Sequence, residues 1–182
     1  MSTEIKTKKT RTQQILDALH VVAWLAFIGY AINAGTVMVS YIISCNNPAA
    51  DRNLFTGIID VYPLKGLSMA NYTAYASFVV VIFAMKSYVW LLVTKALKNI
   101  NLINPFKMEV VRLLERISYV LLEIWIVGVI GDSYAVRVLG IGKGLLKDSY
   151  TQEFLFMAGL IFIISQIYKR GVELQSENDL TV

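Results

Sequence analysis

The sequence predicts an all-α fold, an integral membrane four-helix bundle with both ends of the chain in the cytoplasm. Residues 21–43 contain no charged side chain. At about 1.5 Å per residue, a helix of that length crosses a hydrocarbon core roughly 30 Å thick. Composition agrees, because 56% of the 182 residues are hydrophobic and 16% are charged, whereas about a quarter are charged in soluble proteins.

Four spans are predicted along the chain, at residues 15–44, 72–97, from Asn104-Pro105 to residue 136, and 150–168. Asn104 can cap the free amides of the third helix, and Pro105 is tolerated at a first helical position. The third and fourth spans have the shortest uncharged stretches, residues 124–131 and 154–168. We expect these two to cross with polar ends, tilt or local thinning of the bilayer.

The distribution of basic residues predicts the orientation. One side of the predicted bundle carries Lys6, Lys8, Lys9, Arg11, Lys95, Lys98, Lys107, Arg112, Arg116, Lys169 and Arg170. The other side carries Arg52, Lys65, Arg137, Lys143 and Lys147. Because lysine and arginine are enriched in cytoplasmic loops, both termini are expected in the cytoplasm.

The predicted domain organisation is simple. Residues 1–14 form a basic cytoplasmic N-terminus, residues 15–169 form the membrane domain, and residues 170–182 form an acidic cytoplasmic tail. The outer loops are expected at about residues 45–71 and 137–149. A separate soluble domain would need on the order of 100 residues, and no polar stretch approaches that length.

Two charges fall inside predicted spans, Lys86 in the second and Glu123 in the third. Counted from the basic side, they lie about 13 Å and about 10 Å deep on antiparallel helices, so we expect their side chains to meet. A lone charge at the centre of a span costs roughly 2.5–3.5 kcal/mol, which pairing relieves. The pair is either a proton or ion site, or a structural contact that fixes helix register. A third interpretation is that Lys86 extends toward the headgroups.

The start of the third helix is charged. Arg112, Arg116, Tyr119 and Glu123 share one helical face, at offsets of four, three and four residues. This face is expected either to dock a soluble partner or anionic headgroups, or to be a plain solvated helix end. Within the spans, Asn33 and Gln166 are each expected to form a hydrogen bond to a neighbouring helix.

Patterns of catalysis and metal binding are missing from the sequence. Cys45 is the single cysteine, which excludes a disulfide within the chain and a cysteine-based metal site. The sequence has no HExxH or GxSxG motif and no cluster of metal ligands. We therefore expect a protein that is not an enzyme, with no cofactor and no metal.

Three stretches resemble a known family: Asn104-Pro105-Phe106, residues 159–162 and the tail 169–182. Together they resemble the YoaS-like bacterial family of small four-span membrane proteins of unknown function. Genes of that family often lie beside a gene for a small Xre-like helix-turn-helix regulator. The resemblance therefore implies a membrane component of a two-gene regulatory unit, and it supplies no site residues.

These observations lead to a functional hypothesis. We expect a multi-pass protein of the bacterial inner membrane, a sensor or anchor that sequesters a small cytoplasmic transcription regulator and does not itself bind nucleic acid. The expected partner-binding residues are Arg112, Arg116, Glu173, Glu177 and Asp179. Two alternatives stay open. One is a transporter or ion pathway of several copies that uses Lys86 and Glu123, and the other is a structural subunit of a membrane complex.

Overall fold

The all-α prediction is confirmed by the structure, a computed structural model that describes residues 10–46, 68–100, 106–137, 140 and 152–179. These residues form four helices and, within the described ranges, no strand. The helices are α1 (Arg11–Asn46), α2 (Met69–Asn99), α3 (Met108–Arg137) and α4 (Gln152–Asp179). The predicted outer loops lie almost entirely outside the described residues.

Three of the four helices are long and apolar enough to cross a membrane: α1, α2 and, within α4, Gln152–Asn178. The chain is thus a helical membrane protein. Helix α3 is not among these three, and it carries more charged side chains than any other helix. It nevertheless packs between α2 and α4. Both neighbours are apolar enough to span a membrane. The apolar middle of α3 lies beside the apolar stretches of α2 and α4.

Helices α1 and α2 are antiparallel neighbours. Near the end of α1 and the start of α2, the hydroxyl groups of Tyr41 and Thr73 lie 2.8 Å apart. Further along, the hydroxyl of Ser87 donates a hydrogen bond of 3.2 Å to the carbonyl oxygen of Phe27. Residue numbers rise on one helix as they fall on the other, which fixes the antiparallel direction.

Helices α2 and α3 are joined by polar contacts at both of their ends. The Tyr134 hydroxyl donates to Asn71 Oδ1 at 2.9 Å. At the other end, Asn99 Nδ2 donates to Glu109 Oε1 at 2.9 Å. The two contacts hold the helices in register over almost their whole length.

Helices α3 and α4 confirm the prediction that Gln166 bonds to a neighbouring helix, whereas Asn33 forms no such bond among the residues that the structure describes. Gln166 Nε2 donates to Glu115 Oε1 at 3.0 Å. One turn along α3, the rings of Tyr119 and Phe162 have their centroids 6.2 Å apart. The four helices therefore follow one another up and down, each antiparallel to the one before it.

The core is built mainly around α2, because this helix packs against both α1 and α3. Tyr72, Tyr75, Val79 and Ile82 lie on one face at spacings of three or four residues and are fully buried. Helix α1 differs, since it buries few residues and leaves large apolar side chains exposed on its other faces. Such faces are suited to contact with lipid.

The start of α3 and the end of α4 both differ from the predicted boundaries. Helix α3 does not begin at Asn104-Pro105, because Phe106 and Lys107 are described and are not helical. The Lys107 carbonyl oxygen instead accepts the first hydrogen bonds, from the amides of Val110 and Val111. Helix α4 does not end near residue 168 but continues to Asp179, so most of the predicted tail is a helical extension of the last span.

Candidate functional site

Among the residues that the structure describes, Lys86 is the charged side chain that lies deepest in the bundle. It follows Phe83 by three residues on the buried face of α2, and 9% of its surface is exposed. Its Nζ atom lies 5.7 Å from the ring centroids of Tyr30 and Phe83 and 5.2 Å from that of Phe154. Rings from α1, α2 and α4 therefore surround one ammonium group.

Those rings explain how the bundle tolerates the charge. An ammonium group over an aromatic face gains about 0.5–2 kcal/mol, with the larger values where water is excluded. Three such contacts are of the same order as the roughly 2.5–3.5 kcal/mol cost of a lone charge in mid-membrane. Lys86 is thus held by aromatic rings. The sequence alone did not reveal Tyr30 and Phe154 as partners, since they lie on other helices.

The Lys86 side chain lines a cavity of about 320 Å³ that is bounded by all four helices. We call it the Lys86 cavity. Its lining residues are Tyr30, Lys86, Val89, Trp90, Val93, Ile117, Leu121, Ile124, Glu153, Phe154, Met157 and Ile161. Small-molecule sites in proteins are mostly apolar and begin at about 300 Å³, so both the size and the lining suit a ligand.

Glu123 lies elsewhere on the bundle. It is exposed on α3, on the same face as the exposed residues Tyr119 and Ile126. The structure therefore does not bring Glu123 and Lys86 together. The predicted contact was based on their similar depths, but depth does not fix rotation about the helix axis. The face of α3 that lines the Lys86 cavity carries Ile117 and Leu121 instead.

Charged side chains are concentrated at one end of the bundle, where α1 begins, α2 ends, α3 begins and α4 ends. We call this the basic end. Here Glu109 and Glu115 bond to neighbouring helices, through Asn99 and Gln166. Arg112 and Arg116 are exposed. The glutamates thus hold helices together, while the two arginines lie open to a partner.

The extension of α4 beyond residue 168 carries the predicted acidic residues. Glu173 Oε2 accepts a hydrogen bond and ion pair of 2.9 Å from Arg170 Nη1, one turn earlier on the same helix. Glu177 is exposed. Asp179 ends the helix, and its side chain lies outside the described residues. Part of the expected acidic surface is therefore already neutralised by Arg170.

Phe106 connects the start of α3 to the end of α4, a contact that the sequence analysis did not predict. Its ring centroid lies 5.1 Å from that of Tyr168. A Cβ atom placed on Gly171 would lie 2.6 Å from Phe106 Cε1, which is too short for two carbon atoms. Because glycine has no side chain, Gly171 leaves the space that the Phe106 ring occupies.

Comparison with known proteins gives one match. A family model described as "Protein of unknown function (DUF2975)" matches residues 62–182. The chain belongs to the DUF2975 family. No curated protein and no solved structure matches the chain.

The DUF2975 match covers α2, α3 and α4, and all three stretches on which the sequence resemblance was based. Helix α1 lies outside it. The Lys86 cavity thus combines residues from both parts of the chain. Lys86, Trp90 and Phe154 fall within the matched region, whereas Tyr30 lies on α1.

Proposed function

We propose that this DUF2975 protein is a non-enzymatic protein of the bacterial inner membrane that holds a small transcription regulator at its basic end. Both termini are cytoplasmic in this proposal, following the excess of lysine and arginine at that end. The regulator is a helix-turn-helix protein, as the resemblance to YoaS-like proteins implies. Release from the membrane would return it to DNA.

The observation that best supports the proposal is the length of α4. Its long uncharged stretch ends at residue 168, yet the helix continues to Asp179. At about 1.5 Å per residue, the last eleven residues reach roughly 16 Å beyond the apolar segment. An ordered helix of that length offers a rigid docking surface, with less ordering entropy to lose than a disordered tail has.

The exposed arginines provide the second part of the surface. Arg112 and Arg116 are one turn apart on α3 and so lie on one face. Glu177 is exposed on the neighbouring α4. A surface with both signs of charge favours a protein partner over the phosphate backbone of DNA, which needs mainly cations.

The second candidate function is transport by an assembly of several copies of the chain. That hypothesis was based on the predicted contact between Lys86 and Glu123. It has less support, because Glu123 is exposed on a face of α3 that does not line the Lys86 cavity. A structural role in a larger complex has no specific observation in its favour. We therefore place regulator binding first.

The test is co-purification from native membranes in mild detergent, with partners identified by mass spectrometry. We expect a small helix-turn-helix protein in near-equal amounts. The double variant Arg112→Glu, Arg116→Glu should lose this partner, as should deletion of residues 173–182. The control is Arg137→Glu, an exposed arginine at the opposite end of α3, which should retain it.

Two outcomes would contradict the proposal. One is equal recovery of the partner by the double variant and the wild type, while both insert normally into the membrane. The other is recovery of the chain alone as a defined oligomer, which would favour transport. Membrane insertion is checked in each variant by resistance to alkaline extraction.

A further inference from the structure

We propose that the Lys86 cavity binds a medium-chain monocarboxylate, with its carboxylate against the Lys86 ammonium and its hydrocarbon chain along the apolar wall. This inference goes beyond regulator binding and does not depend on it. The ligand site lies within the bundle, whereas the proposed docking surface lies at the basic end. Either can fail without the other.

The Lys86 ammonium group lies in an apolar setting. Lys86 is nine-tenths buried, lines the cavity and contacts three rings. Within the part of the chain that the structure describes, no carboxylate lies at ion-pair distance from its Nζ atom. A lysine ammonium has three hydrogen-bond donors, and aromatic faces attract its charge without supplying oxygen acceptors. An oxyanion in the cavity would supply them.

Lys86 lies far from both ends of its helix. Lys86 lies 17 residues from Met69 and 13 from Asn99, about 25 Å and about 20 Å from the two ends of α2. A phospholipid headgroup stays at the bilayer surface and does not reach this position. A single-chain acid can reach it, because it crosses the hydrocarbon region in its protonated form.

The size and lining of the cavity suit a ligand of medium chain length. The volume of about 320 Å³ lies at the small end of the roughly 300–1,000 Å³ range of small-molecule sites. Val89, Val93, Leu121 and Ile161 supply apolar wall for the chain. Two-carbon and three-carbon acids would leave most of that wall uncovered.

The lining also limits the number of negative charges on the ligand. Glu153 is the second charged group in the lining, and it also borders a neighbouring surface pocket with Trp125. Its carboxylate opposes a second negative charge in the ligand. The cavity therefore favours a monocarboxylate over a dicarboxylate or a phosphate ester.

The experiment uses tryptophan fluorescence. Trp90 lines the cavity, whereas Trp24 and Trp125 do not, so Trp24→Phe and Trp125→Phe leave one reporter. The full chain in phosphatidylcholine nanodiscs is titrated with 10-bromodecanoate, whose bromine quenches a nearby indole. 10-Bromodecanol, which has the same chain and no charge, measures partition into the lipid.

We expect saturable quenching by the carboxylate. Lys86→Met should raise its Kd about 10-fold to 100-fold, the range for losing a hydrogen bond to a charged group. Lys86→Arg should stay close to the wild type, because it keeps the cation. Lys95→Met removes an exposed lysine from the same helix and should change nothing.

The proposal is overturned if the acid and the alcohol quench alike and Lys86→Met leaves the acid unchanged. Binding of an uncharged carbonyl compound such as a naphthoquinone, without binding of the carboxylate, would also overturn it. If Lys86→Met does not fold, as judged by circular dichroism and size exclusion, the acid and the alcohol are compared at Trp90 in the protein that keeps Lys86. Saturable quenching by the acid alone then supports the site, and equal quenching by both rejects it.

Discussion

The contact between Phe106 and Gly171 yields the sharpest prediction about stability. Replacing Gly171 with alanine has two opposing effects. Alanine is favoured over glycine within a helix by about 0.8–1.0 kcal/mol. The new Cβ atom, however, would lie 2.6 Å from Phe106 Cε1, so the ring, which is 41% exposed, must turn away from Tyr168. Losing that aromatic pair costs about 0.5–1.5 kcal/mol. We therefore expect the two effects nearly to cancel, so that Gly171→Ala changes the free energy of unfolding by less than about 0.7 kcal/mol.

The stabilising effect of alanine should appear in full when the ring is absent. In a Phe106→Ala background there is no ring contact to lose, and the helix preference remains. There, Gly171→Ala should raise the free energy of unfolding by about 1 kcal/mol. The two backgrounds differ by the coupling between residues 106 and 171, which equals the lost ring contact of about 0.5–1.5 kcal/mol.

A matched control is present on the same helix. Gly159 also lies in α4, and a Cβ atom built there meets nothing within 4 Å. Gly159→Ala should therefore have the same small effect in both backgrounds. Reversible unfolding in mixed micelles, followed by circular dichroism, measures all of these variants. The reasoning is refuted if Gly171→Ala changes stability equally with and without the Phe106 ring.

Three further predictions concern polar contacts. Tyr134→Phe removes the donor to Asn71 Oδ1 and should lower the free energy of unfolding by about 0.5–1.5 kcal/mol. Unfolding in micelles measures this, and an unchanged value would show that the hydrogen bond contributes nothing. Gln166→Leu removes the hydrogen bond between α4 and Glu115. It should lower the free energy of unfolding by about 0.6 kcal/mol, the average for hydrogen bonds between helices in membranes. A stabilised variant in the same assay would contradict this. Glu173→Gln breaks an exposed ion pair within α4. The melting temperature should not shift, because exposed ion pairs contribute little to stability. A large drop in the melting temperature would reveal a further contact of Glu173.

The predictions from sequence succeeded where the signal is local. Membrane character follows from the uncharged stretch of residues 21–43 and needs no knowledge of neighbouring helices. Helix type follows as well, because backbone groups in lipid must bond internally. Gln166 was predicted to bond between helices for the same reason, since a polar amide in an apolar span lacks water. Its partner, Glu115, came from the structure.

Boundaries were less predictable. The sequence placed a helix start at Asn104-Pro105, where capping and proline preferences agree, yet α3 begins at Met108. Phe106 lies outside the helix with its ring on Tyr168. A tertiary contact thus outweighed a local preference. The end of α4 was placed eleven residues too early, because loss of hydrophobicity was taken as the end of the helix.

The sequence by itself determined that this is an all-helical membrane protein with a strongly basic end, because length, apolarity and charge position are properties of single segments. Only the tertiary structure decided which side chains meet. A span that is apolar on most faces, as α1 is, gives no signal of its rotation. The contact predicted between Lys86 and Glu123 was based only on the similar depth of the two residues in the membrane. The rotation of the helices instead placed three aromatic rings around the Lys86 ammonium and left Glu123 exposed.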